Sequence, residues 1–146
     1  MAVPGPAGVT LAFDFGLRRI GVAAGSTLTG TAAPLRAVAN GPDGPEWPAL
    51  DHHVHEYKPD QLVVGTPYND DGSPAALANA AARFATALHE RYALPVTRVD
   101  ESHSSREAHA ELKARRADGS RRRRVQRADI DSLAAAIILE RWLRGE

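Results

Sequence analysis

Cysteine is absent from the 146 residues. Disulfides and thiolate metal sites are thereby excluded, and a reducing compartment suits such a chain. Aromatic residues are scarce, at 5%, so small side chains must fill much of the core and the elements must pack closely. Lysine is nearly missing as well: Lys58 and Lys113 stand against 16 arginines, a bias that fits a GC-rich genome. No apolar run approaches the ~20 residues of a membrane helix, and Met1 to Gly8 lack the basic-then-apolar pattern of a signal peptide. The expectation is a cytoplasmic protein with no membrane partner, one domain over residues 1–146 with a flexible stretch at 1–8.

Net charge is also missing, with 18 basic and 18 acidic residues, but the balance is an average over unlike regions. Residues 1–102 carry 7 basic and 11 acidic side chains, residues 103–127 carry 9 and 3, and residues 128–146 carry 2 and 4. One short segment thus holds half of the positive charge, which points to a local anionic partner.

Residues 9–15 alternate, with Val9, Leu11, Phe13 and Phe15 on one face and Thr10, Ala12 and Asp14 on the other, which predicts a strand. Ile20 to Gly25 and Leu28 to Val38 read as further strands, with Pro34 at a bend or edge. Links this short make the three antiparallel. Asn40 to Pro48 is expected to be a loop. A helix over Trp47 to Tyr57, closed by Pro59, a strand over Gln61 to Gly65 and a polar loop over Thr66 to Ser73 follow. Pro74 to Tyr92 is the clearest helix, with Leu77, Ala81, Phe84 and Leu88 as its apolar stripe. Val96 to Asp100 is the next strand. Ser104 and Glu107 resemble a capping box opening a helix to about Arg116. A basic loop over Ala117 to Arg127 leads to a last helix over Ile130 to Leu143, with Leu133, Ala134, Ile137 and Ile138 facing the core. The order predicts an α/β fold: a mixed five-stranded sheet, three antiparallel strands then parallel ones, with helices on both faces.

Three acids stand out by placement. Asp14 is an acid inside an apolar strand, between Ala12 and Gly16, where burial is costly and β propensity poor. Glu101 sits where a strand ends. Asp131 sits in the expected first turn of the last helix, where capping is the ordinary role. Strand ends and helix starts converge on one crevice in an open sheet. Carboxylates meeting there repel unless a cation joins them, and an all-oxygen site suits Mg²⁺ or Mn²⁺. Two such ions can bind a phosphodiester and activate water. The run Arg121, Arg122, Arg123 and Arg124, with Arg115, Arg116 and Arg127, can track a phosphate backbone, and Arg18 and Arg19 beside Asp14 can add contacts. A charge run is ordinarily a solvated loop, and Arg19 can equally be an ion-pair partner; the place of the run just before Asp131 favours nucleic acid. No aromatic interleaves it, so base reading by stacking is not indicated. His52, His53 and His55 read as solvent-exposed rather than as metal ligands. Ser102, Ser104 and Ser105 near His103 are neighbours in sequence, not a triad.

The stretch Asp14-Phe15-Gly16-Leu17-Arg18-Arg19-Ile20-Gly21-Val22-Ala23 resembles the N-terminal signature of the YqgF family, also called RuvX. Val63 to Ser73 resembles its glycine-containing loop, Asp100-Glu101 its "DER" motif, and Ile130 to Leu139 its last helix. Four blocks in order cover almost the whole chain. The resemblance implies a ribonuclease H-like fold and a nuclease that processes the 5′ end of pre-16S ribosomal RNA or resolves Holliday junctions. It also implies that Asp14, Glu101 and Asp131 are the metal-binding catalytic acids, with Asp14 bridging the metals and the other two completing their shells. Ser102 stands where the family has an arginine and His103 where leucine is common, which removes a positive charge beside the site. Leu17 replaces a common threonine and Thr66 a common leucine. The expected partner is structured RNA or branched DNA, and the protein is a monomer or homodimer, a dimer suiting a junction in which two strands are cut. Two rivals remain: an actin- or sugar-kinase-like nucleotide-binding module, and a non-catalytic nucleic-acid-binding protein of the same fold.

Overall fold

The computed structural model describes residues 8–66, 75–100 and 127–145. Strand β1 (Val9–Phe15) pairs antiparallel with β2 (Arg19–Ser26), and β2 with β3 (Ala32–Gly41). A two-residue strand, β4 (Gly44–Pro45), closes against Asn40 and Gly41. Helix α1 (Trp47–Tyr57) leads to β5 (Gln61–Thr66), which lies parallel to β1 on its other side. Helix α2 (Ala75–Tyr92) precedes β6 (Val96–Asp100), parallel to β5, and helix α3 (Arg127–Leu143) comes last. The sheet order is β4-β3-β2-β1-β5-β6. The mixed sheet with helices on both faces is the architecture expected of the sequence. The helix expected over Ser104 to Arg116 and most of the polar loop before α2 lie outside the described residues.

Several boundaries differ from expectation for identifiable reasons. The third strand begins at Ala32, not Leu28, because Ser26 to Thr31 close a turn. Ser26 N–H donates to Thr31 O, Gly30 N–H donates to Ser26 O, and Gly30 takes a left-handed φ of 69°. The strand then runs on to Gly41, through residues expected to be loop, and β4 makes a sixth strand from a Gly-Pro pair with no alternation to reveal it. Helix α3 starts three residues before the expected Ile130, so Arg127 is helical rather than part of a loop. Helix α1 ends as Pro59 requires, with Lys58 left-handed at φ 46° and its N–H bonded to Val54 O.

The two faces of the sheet are filled differently. Leu11, Phe13, Phe15, Ile20, Val22, Leu62 and Val64 pack against Leu50 of α1 and against Ala81, Phe84, Ala85 and Leu88 of α2. The other face presents Ala12, Ala23 and Val63 to Ala135, Ala136, Ile138 and Leu139 of α3. Ile137, expected in the core, is only half-buried. At Gly25 a Cβ would come within 2.8 Å of the Leu139 side chain, so this face admits α3 only because its strands carry little beyond backbone. Among the described residues, no helix is long and apolar enough to cross a membrane.

Candidate active site

Asp14 is the sixth residue of β1, near the strand's C-terminal end, and lies between Gly21 of β2 and Gly65 of β5 in register. Residues opposed in an antiparallel pair share a face, as do positions i and i+2 of a strand. Asp14 therefore projects to the same face as Ala12 and Ala23, the face that α3 covers. It is partly buried, as an acid flanked on both sides by glycine can be.

Asp131 reaches the same place from the other end of the chain. A Cβ on Gly21 would collide with the Asp131 carbonyl oxygen and with the backbone nitrogen of Ser132. The backbone of α3 thus rests on the one residue of β2 that opposes Asp14. The structure thus sets the backbone of Asp131 against the residue opposite Asp14, although 116 residues separate the two acids in sequence. Asp131 is the fifth residue of α3, in its second turn rather than its first. Capping, its ordinary role at a helix start, does not apply there.

Two side-chain contacts fix this docking. Arg19 Nε donates to Asp131 Oδ2 at 2.9 Å, with the two side chains 34% and 25% exposed. Beside it, the β2–β3 register slips between Ile20 and Val22. At this β-bulge the Val22 N–H donates to Ser132 Oγ at 3.3 Å, a buried bond. The turn before Arg19 is braced from β3: Asn40 Nδ2 donates to Gly16 O at 2.7 Å, and Asn40 N–H to Arg18 O at 2.8 Å. Arg18 itself is exposed.

Of the expected site residues, Glu101 lies outside the described residues, as do Arg115, Arg116 and the run Arg121 to Arg124. Asp100, one residue before Glu101, ends β6, two strands from β1. Arg127 opens α3. Among the described residues no three His, Asp or Glu form a metal-binding group. Carboxylates are hard oxygen donors, and a set of them fits Mg²⁺ or Mn²⁺.

His53 corrects an expectation. His52 and His55 are exposed, but His53 is buried, its Nε2 2.9 Å from Arg36 O. Burial pushes its pKa below the ordinary imidazole value. It ties α1 to β3, away from the acids. Ser132 and Asn40 were not anticipated. The alternation Gly21, Ala23, Gly25 is the signal from which a closely packed helix could have been inferred.

Known proteins resemble the chain over nearly its full length. A family model described as "RuvX: Holliday junction resolvase" matches residues 8–145. A protein of Xanthomonas axonopodis pv. citri, named "Putative pre-16S rRNA nuclease", is 46% identical over 138 residues, covering 94% of this chain and 88% of that protein. A protein of Xanthomonas oryzae pv. oryzae with the same name matches at the same identity and coverage. Among solved structures, Thermus thermophilus RuvC in complex with a Holliday junction substrate superposes with a TM-score of 0.59 at 16% identity, covering 94% of both chains. That likeness establishes the ribonuclease H-like fold.

Proposed function

The chain belongs to the RuvX family, and on that premise we propose that it is a metal-dependent nuclease hydrolysing phosphodiester bonds in structured nucleic acid. The observation that supports this reading is the seating of the Asp131 backbone on Gly21, the residue opposite Asp14. An acid in an apolar strand and an acid in the second turn of a buried helix are each costly alone. Together they form a site that a divalent cation stabilises. Asp14, Asp131 and Glu101 are the residues we propose to hold Mg²⁺ or Mn²⁺. The cation supplies, when bound, charge neutralisation at the phosphate and a water of lowered pKa. The protein's part is to hold its carboxylates at fixed separation and to keep α3 seated on β2. No covalent enzyme intermediate is needed.

The relatives' name supports the 5′ end of pre-16S ribosomal RNA as a substrate, and the family description supports a four-way DNA junction. Either substrate puts the protein in the cytoplasm, and a junction calls for two copies so that two strands are cut. We propose Arg18, Arg115, Arg116, Arg121 to Arg124 and Arg127 as the cations that follow the phosphate backbone.

The test offers precursor ribosomal RNA and junction DNA side by side, with Mg²⁺ or Mn²⁺, to wild type and to Asp14→Asn. Cleavage of one substrate by the wild type alone is expected. Equal cleavage by the mutant overturns the site, and tight ATP binding without cleavage of either substrate overturns the nuclease reading.

A further inference from the structure

Among the described residues, two arginine–aspartate pairs lie on opposite faces of this sheet, and they are built differently. On the α1–α2 side, Arg91 grips both oxygens of Asp51, Nε to Oδ1 at 2.8 Å and Nη2 to Oδ2 at 2.6 Å, with Tyr92 Oη donating to Oδ1 at 2.6 Å. The guanidinium also lies 4.9 Å from the Trp47 ring centroid. Both oxygens of that aspartate are engaged by its partners. Arg19 instead meets Asp131 through a single hydrogen bond, from Nε to Oδ2. The bond occupies one lone pair of one oxygen, and Arg19 makes no bond to Oδ1. It is an arrangement that orients a carboxylate without consuming it.

We infer that Arg19 is a positioning residue, which fixes the rotation of the Asp131 carboxylate through Nε so that its remaining lone pairs face a divalent cation. The inference rests on the reading of Asp131 as a cation ligand. Three successive contacts join β2 to α3 here, and they divide the labour. Gly21 receives the Asp131 backbone and the Val22 N–H holds Ser132; together these place the main chain of Asp131. Arg19 touches the carboxylate. Its own origin is fixed, because Asn40 clamps Gly16 O and Arg18 O in the turn just before it and because Arg19 pairs with Ala39 in the sheet. Removing the Arg19 side chain should therefore leave α3 seated and free only the carboxylate to rotate. Groups that orient a metal ligand in this way typically govern metal affinity or activity by about 10–100-fold.

The chemistry of the side chain supplies a discriminating pair of variants. In glutamine the amide nitrogen is bonded to Cδ, as Nε is in arginine, so Arg19→Gln keeps a donor at the same number of bonds while losing the charge and the terminal nitrogens. Arg19→Met keeps an aliphatic stem and no donor. The measurement is the Mn²⁺ concentration giving half of the full thermal shift, without substrate, in wild type, both variants, Asp131→Asn and the Arg19→Met/Asp131→Asn double mutant. Arg19→Met should need roughly 10–100 times more Mn²⁺, Arg19→Gln should lie close to wild type, and Arg19→Met should add nothing once Asp131 is asparagine. The salt dependence of substrate binding in Ca²⁺ should be the same in wild type and Arg19→Met.

A salt slope shallower by ~0.9 for duplex DNA in both variants makes Arg19 a phosphate contact and overturns the inference. Equal Mn²⁺ responses in Gln, Met and wild type make the pair merely structural and overturn it too. A tighter response in Arg19→Met shows a cation competing with the metal, which also overturns it. If Asp131→Asn responds to Mn²⁺ as wild type does, it is the reading of Asp131 itself that fails, an outcome distinct from the other three.

Discussion

The two faces of β1 and β2 are made of the same strands and do opposite things. Leu11, Phe13 and Phe15 point to the face covered by α1 and α2, where the Phe84 ring lies 5.8 Å from that of Phe13, 5.2 Å from that of Phe15 and 6.1 Å from that of Trp47. The alternate residues, Ala12 with Ala23, and Gly21 and Gly25 on β2, face α3. Bulk on the first face removes apolar area from water, at roughly 1.5–3 kcal/mol for each large side chain buried. Lack of bulk on the second lets the helix backbone descend onto the sheet and sets Asp131 against Gly21, the residue opposite Asp14. A chain with few aromatics places all three of its phenylalanines on the face without the acids. On the proposed reading, stability and chemistry are thereby separated by the thickness of one sheet.

If that separation holds, damage to each face should be read by a different instrument. The largest effect is expected from Asp14→Asn. Cleavage should fall by about 10³-fold or more, roughly 4 kcal/mol at the barrier. The protein should stay folded, since asparagine keeps the shape of aspartate and the docking of α3 rests on Gly21, Ser132 and Arg19. A mutant that loses activity only because it unfolds would break the comparison at its root.

Phe84→Ala is the counterpart on the apolar face. Deleting a ring that contacts three others should cost about 3–5 kcal/mol in denaturant unfolding, while the turnover of the molecules still folded stays near that of wild type. Loss of turnover beyond the folded fraction would mean that the faces communicate.

Gly21→Ala should come next, at about 1–3 kcal/mol from overpacking, because the new methyl meets backbone, which cannot rotate away. It should affect both readouts, destabilising the fold and displacing Asp131 from Asp14. Gly41→Ala serves as the control, since no atom lies within 4 Å of its Cβ position. Equal effects from the two substitutions would mean that α3 does not sit tightly on β2.

Sequence made one face more legible than the other. Alternation along residues 9–15 and the stripe Leu77, Ala81, Phe84 and Leu88 predict the apolar face, because large side chains at period 2 and 3.6 leave a pattern. Asp14 was conspicuous for the same reason, as a break in that pattern. Packing through absence is harder to see: glycine and alanine at alternate positions suit a turn, a bulge or a close helix equally well. Asp131 was legible as an acid near a helix start but not as a partner of Arg19, since a single hydrogen bond across 112 residues has no local signature. The start of α3 has no clear signal because Arg127, Ala128 and Asp129 carry no apolar periodicity, and β4 has none because two residues carry no periodicity at all. Asn40 reads as a turn residue, and only the hairpin's register turns it into the brace of Gly16 and Arg18.

The smallest effect is expected at the other arginine–aspartate pair, and pH exposes it. Hydrogen bonds from Arg91, then from Tyr92, hold the Asp51 carboxyl down to about 2 from an ordinary 3.8. A carboxyl with a depressed folded pKa adds stability that is complete above its unfolded value and disappears as pH falls through its folded value. The stability difference between wild type and Asp51→Asn should therefore be constant above about pH 5 and shrink progressively as pH falls to 2. Both side chains are more than 40% exposed, so solvent and salt screen the pair and the whole difference should be smaller than that for Gly21→Ala. Cleavage measured at neutral pH should be untouched, because the pair clasps α1 to α2 on the face without the acids. Urea unfolding of the two proteins from pH 6 down to pH 2, at low and high salt, measures this directly. A difference that grows on acidification would show that Asp51 is protonated more readily in the folded state, contrary to the clasp. A loss of cleavage in Asp51→Asn at neutral pH would show that the apolar face sets the geometry of the acids after all, through the strands that the two faces share.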